Sequence, residues 1–201
     1  MSLKPDFITR LLFAVIVFVL SAATCRAEMN ALPTPLAGVF SDSPSVKSEF
    51  FEIYLQEGVE LEALRKQLTL PVALDTLIIR PVIENPESLA EEVDKLFLVV
   101  SHLLDLHLWN FQSSIKVYLA DQEMLELLRR EMGLQEQPEG FYLSADNAVF
   151  INAGTVNFYI LGHEISHAIQ HSYFGFSQPE KHQEILSGYV EYQLRKYSDT
   201  L

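Results

Sequence analysis

The sequence predicts an α+β fold. Three observations carry this: one long apolar-periodic segment from Leu89 to Leu104, short strand-like segments around Ile115, Phe141 and Val149, and two successive helical stretches at the C-terminal end. Helices and short strands come first and two helices last, an order that suits helices segregated to one side of a small mixed sheet.

In chain order, Val59–Leu70 has helical spacing, and the aliphatic run Val72–Ile79, ending before Pro81, reads as a strand. Ser88 followed by Glu91 makes a capping-box pattern that opens the long helix through Leu89, Val93, Leu96, Val100, Leu103 and Leu104. Ile115–Leu119 alternates like a strand, and Asp121 caps a helix through Leu125 and Leu128 that stops at Gly133. Phe141–Leu143 and Val149–Ile151, separated by the turn residues Asp146 and Asn147, form a hairpin by pattern. Val156 to about His171 reads as a helix. Beyond Gly175 a second capping-box pattern, Ser177 with Glu180, opens a last helix to about Tyr197.

The 201 residues, 49% hydrophobic and 20% charged, fit one domain large enough to bury a core. Residues 1–27 read as an export signal: Lys4 and Arg10 precede the apolar run Leu11–Ala23, and Cys25 and Ala27 are the small residues before a cut. The run of 13 residues falls short of the roughly 20 that a helix needs to cross a bilayer. The expected destination is periplasmic or secreted, the alternative being membrane anchorage through an uncleaved or lipidated N-terminal segment. Residues 28–48, with Pro33, Pro35 and Pro44 and no sustained period, read as a linker, leaving 49–201 as the folded domain. A cut after Ala27 removes Cys25, the only cysteine, so no disulfide supports the fold. The cut also removes three basic residues and one acidic, moving the net charge from −13 to −15. Nucleic acid is excluded as an expected partner, because phosphate backbones are bound by basic patches.

Chemistry concentrates at His163-Glu164-Ile165-Ser166-His167. Residues four apart on a helix share a face, so both imidazoles can aim at one ion, and Zn2+ suits such a pair. Glu164 then serves as general base toward the water that the metal activates. A catalytic zinc needs a third protein ligand. Glu184 is the leading candidate, 17 residues after His167 on a helix that returns antiparallel past the turn at Gly175. Glu191, one heptad further along nearly the same face, is the rival ligand or a supporting carboxylate. His171 lies about 12 Å along the axis from His163, too far to share the ion. His102, His107 and His182 have no ligand spacing. Tyr189 and Tyr192 share a side of the last helix, a spacing typical of core aromatics.

The His163–His167 motif followed by Glu184-Ile185-Leu186-Ser187 resembles the gluzincin-type, thermolysin-like zinc metallopeptidases, over roughly Val149–Tyr197. The resemblance implies a minimal zincin-like domain in which His163, His167 and Glu184 hold zinc and Glu164 is catalytic. It also implies that an edge strand before the active helix, here Ala148–Asn152, aligns the backbone of a peptide or protein substrate. Where gluzincins often carry an Asp that orients the first histidine, this chain has Gly188. The expected function is zinc-dependent hydrolysis of peptide bonds. The alternative is a non-catalytic zincin-like binding module of the cell envelope, favoured by the short stretch of sequence that follows the motif.

Overall fold

The computed structural model describes residues 38–77, 86–132 and 138–197. All of these belong to the second of two compact units, Pro35–Leu201. The signal expected at residues 1–27 and the linker up to residue 37 lie outside the described residues. The rest of that linker is built into the domain: Phe40 packs edge-on against Phe150, with ring centroids 6.3 Å apart, and Val46–Lys47 forms a short strand.

The fold is α+β, as expected. A five-stranded mixed sheet contains β1 (Val46–Lys47), β2 (Phe51–Leu55), β3 (Ser113–Tyr118), β4 (Gly140–Leu143) and β5 (Ala148–Asn152) in the order β1-β2-β3-β5-β4. β2, β3 and β5 run parallel, and β1 and β4 close the two edges antiparallel. Every residue of β5 is buried, which fits a strand covered on both faces and paired on both sides.

Among the described residues, five α-helices surround the sheet: α1 (Leu61–Leu68), α2 (Leu89–Leu104), α3 (Gln122–Met132), α4 (Phe158–Phe174) and α5 (Glu180–Tyr197). Alternation in the strands sends Phe51, Ile53, Ile115, Val117, Val149 and Ile151 into one core with Leu96 and Val100 of α2, Leu161 and Ile165 of α4, and Val190 and Leu194 of α5. Tyr118, Ala148 and Phe150 face the opposite way, onto Met124 and Leu128 of α3 and onto Phe40 and Phe141. Among the described residues, no helix is long and apolar enough to cross a membrane.

Several local expectations hold at the level of single hydrogen bonds. Ser88 and Glu91 form the reciprocal capping box of α2, and the Asp121 carboxylate accepts the Met124 N–H at 2.7 Å to start α3. Two expectations do not. Val72–Leu77 is a 3-10 helix and not a strand. The Pro71 carbonyl accepts the Leu74 N–H at 3.0 Å, and the turn buries Leu74 while leaving Val72 77% exposed, a period of the 3-10 turn and not the i, i+2 alternation of a strand. The second capping box is also displaced. α5 begins at Glu180, and the Pro179 carbonyl accepts the N–H groups of His182 and Gln183. Glu180 therefore stands at the first helical position, too early to close a box with Ser177.

Candidate metal centre

α4 is the element that carries the motif through the middle of the core. Asn157 caps it, its side-chain oxygen accepting the Ile160 N–H at 3.1 Å, and apolar residues bury it on nearly all sides. It ends at Gly175, whose φ of 72° is a left-handed conformation that glycine adopts without steric cost, and whose N–H is donated to the His171 carbonyl. That turn sends α5 back along α4. The register between the two is fixed by a buried polar contact: the Ser166 and Ser187 hydroxyls share a short hydrogen bond, Ser166 donates to the His163 carbonyl at 2.7 Å, and Gln170 Nε2 donates to Ser187 Oγ at 3.3 Å. Ser187, fully buried, thus places Glu184, one turn earlier, opposite the histidines.

His163, His167 and Glu184 come together as a group that could hold a metal ion, each offering a ligand atom within 4.8 Å of the others. Glu184 Oε1 lies 3.4 Å from His167 Nε2, and Glu184 Oε2 lies 3.5 Å from His163 Nε2. The imidazole rings stand 5.1 Å apart. Burial, and next to it the neighbouring His163, push the His167 pKa down and favour the neutral imidazole, the form that binds metals. Glu184 is 54% exposed, so the group opens to solvent on its α5 side.

The structure separates the two candidate carboxylates of α5. Glu184 faces the Nε2 atoms, whereas Glu191 Oε2 lies 3.2 Å from Nδ1 of His163, on the far side of the ring. Glu191 is itself clamped by Arg195, whose Nε and second guanidinium nitrogen lie 2.8 and 2.7 Å from Oε1, and the guanidinium stacks over the Tyr159 ring at 3.9 Å. Glu191 therefore orients His163 where the sequence pattern offers only Gly188, three residues earlier.

Glu164 is 8% exposed, and a backbone hydrogen bond from Tyr142 reaches its carboxylate. Burial above all, then the charges of Glu184 and Glu191, push its pKa up to about 8. For the ion-free protein the sign follows. Between about 4.5 and 8 the folded chain keeps a proton that the unfolded chain releases, so this group's contribution to stability is full at the low end and is lost as pH rises toward 8. Urea unfolding of chelated wild type beside Glu164→Gln should show the wild type losing ground between pH 5 and 8, by at most ~1.4 kcal/mol per pH unit. The shift of His167 acts in the opposite direction but is common to both proteins and cancels in the difference.

A cleft of about 390 Å3 opens over these groups, lined by Gly140, Phe141, Tyr142, His163, Glu164, His167, Glu180, Gln183 and Glu184. Its strand wall is β4 and not Ala148–Asn152. β5 is hydrogen-bonded to β3 on one side and β4 on the other, so it has no free edge to offer. On β4 the Glu139 carbonyl accepts the Asn152 N–H, which sets the alternation of the ladder and turns the backbone groups of Gly140 and Tyr142 outward from the sheet. A Cβ at Gly140 would stand 2.9 Å from Glu164 Cγ, so only glycine lets the strand approach the carboxylate this closely.

The other sequence candidates lie outside the group. His171 Nδ1 is 3.3 Å from the Tyr142 hydroxyl, His107 pairs with Asp105, and Tyr189 and Tyr192 are 46% and 51% exposed instead of belonging to the core. Sequence reasoning missed the cleft roles of Gly140, Tyr142, Glu180 and Gln183. The one legible signal was for Arg195, four residues after Glu191 at ion-pair spacing. Comparison with family models, curated proteins and solved structures finds no match to the chain.

Proposed function

We propose that this protein is a zinc-dependent peptidase with a minimal zincin-like domain, exported to the periplasm or beyond, in which His163, His167 and Glu184 hold the ion and Glu164 is the general base. The observation that carries the reading is the spacing of the three ligand atoms. Tetrahedral zinc with bonds of about 2.0–2.1 Å sets neighbouring ligand atoms about 3.4 Å apart. One Glu184 oxygen stands 3.4 Å from His167 Nε2 and the other 3.5 Å from His163 Nε2, and one ligand atom from each of the three residues lies within 4.8 Å of the other two, close enough for small shifts to reach that spacing. Two imidazoles and one carboxylate make up the three-protein-ligand set of a catalytic zinc, which would keep a fourth position for water or substrate.

When bound, the ion supplies a Lewis acid that polarises the scissile carbonyl and brings the pKa of water toward neutrality. The remaining work falls to the chain itself. Glu164, held against β4, accepts the proton of the attacking water and delivers it to the leaving amine. The Gly140 backbone groups and the Tyr142 carbonyl, with the Tyr142 N–H already given to Glu164, hold an extended peptide along the outer edge of β4, in the manner of an added strand. Glu191 and Arg195 keep the His163 ring turned so that Nε2 faces Glu184.

A second reading, a non-catalytic binding module, draws support from the exposed apolar face of α5, where Ile185, Tyr189 and Tyr192 follow Glu184. A mixed peptide library incubated with the zinc-loaded protein separates the two. The peptidase reading expects cleavage that stops on chelation and returns with zinc, and the module reading expects none.

A further inference from the structure

Beyond the ligands and the base, the described residues place one further charged group in the cleft. Of the nine lining residues, His163, His167, Glu184 and Glu164 belong to the metal centre, and Gly140, Phe141, Tyr142 and Gln183 are uncharged. Glu180 remains. Among the described residues, no lysine or arginine lines the cleft, and Lys181 and His182, next to Glu180 in sequence, do not reach it. Gln183 is already engaged, through its hydrogen bond with His167 and through Nε2, which donates to the Gln178 carbonyl. Glu180 makes no ion pair or side-chain hydrogen bond among the described residues, and it stands exposed at the start of α5, across the cleft from β4.

We propose that Glu180 selects substrates, so that the cleft prefers peptides with a lysine or arginine flanking the scissile bond. This rests on the peptidase reading. A peptide extended along Gly140 and Tyr142 sends alternate side chains to opposite sides of its backbone, and those directed across the cleft meet the first turn of α5. There the choice is electrostatic. A bound dication is balanced by the carboxylates of Glu184 and Glu164, so Glu180 sets the sign of the wall. The start of α5 opposes this with the equivalent of about half a positive charge, less than the full negative charge on Glu180.

An exposed pair of this kind gives about fivefold at most. Sequencing the products of a randomised peptide library cleaved by the zinc-loaded protein should show Lys and Arg favoured over Asp and Glu by about fivefold at one position flanking the cut. The ratio should fall to about one in Glu180→Gln, invert in Glu180→Lys, and shrink as salt is raised, with the change carried by KM and not by kcat. A preference that is identical in wild type and Glu180→Gln, or one for acidic residues, overturns the assignment. Fluorescence anisotropy with a Lys-flanked and a Glu-flanked peptide on the zinc-loaded protein gives a readout independent of cleavage. If nothing is cleaved, the peptidase reading fails. A Glu180-dependent preference in binding then still upholds the recognition surface, and equal binding of the two peptides removes it.

Discussion

Glu164→Gln keeps the metal and the fold but lowers peptide hydrolysis by about 10²- to 10⁴-fold, the range a positioned general base supplies. The substitution is nearly isosteric and leaves the buried position filled beside Gly140. The amide oxygen can still accept the backbone hydrogen bond that reaches this side chain from Tyr142. What it removes is the ability to accept a proton. Glu164 is absent from the group of ligand atoms formed by His163, His167 and Glu184, so zinc content measured on the same sample should match wild type. Loss of zinc together with activity would instead make Glu164 a ligand and undo the division of roles.

Glu191→Ala lowers zinc affinity by about 10- to 100-fold, the usual effect of removing the partner of a ligating histidine, while the ion remains bound at saturating zinc. The cause is the contact at Nδ1 of His163: without the carboxylate, the ring loses the partner that fixes both its rotation and its tautomer. Arg195→Ala produces a smaller change in the same direction, since Arg195 reaches His163 by way of Glu191, through the two contacts at 2.7 and 2.8 Å. Competition titration against a chelator of known affinity checks both variants. An affinity equal to wild type in Glu191→Ala would show that α4 packing alone orients His163.

How far the sequence reaches can be judged from these residues. The α+β class, the capping box of α2, the hairpin and the two final helices follow from local patterns, because caps, turns and helical periodicity are written within a few residues. The pair His163 and His167 is legible for the same reason, and Glu184 nearly so, since the return of α5 follows from Gly175 and the length of the turn. What escaped depends on contacts distant in sequence. β1, two residues long, is too short to show a period, and β2 acquires its place by pairing with β3, about 60 residues away. The difference between β4 and β5 as the strand beside the cleft is a matter of sheet order, which no alternation pattern encodes. The positions of Glu184 and Glu191 on one helix face left both open as ligands. Only the placement of His163, with one nitrogen toward each, divides their roles. Tyr189 and Tyr192 have core spacing but lie on the outer side of α5, because the face buried against α4 is taken by Ser187, Val190 and Leu194.

The central claim is that His163, His167 and Glu184 form one zinc site, and metal analysis of protein purified without chelators tests it most directly. Wild type should carry about one zinc per chain and Glu184→Ala essentially none under the same conditions. Wild type without zinc, or equal zinc in the two proteins, would contradict the account.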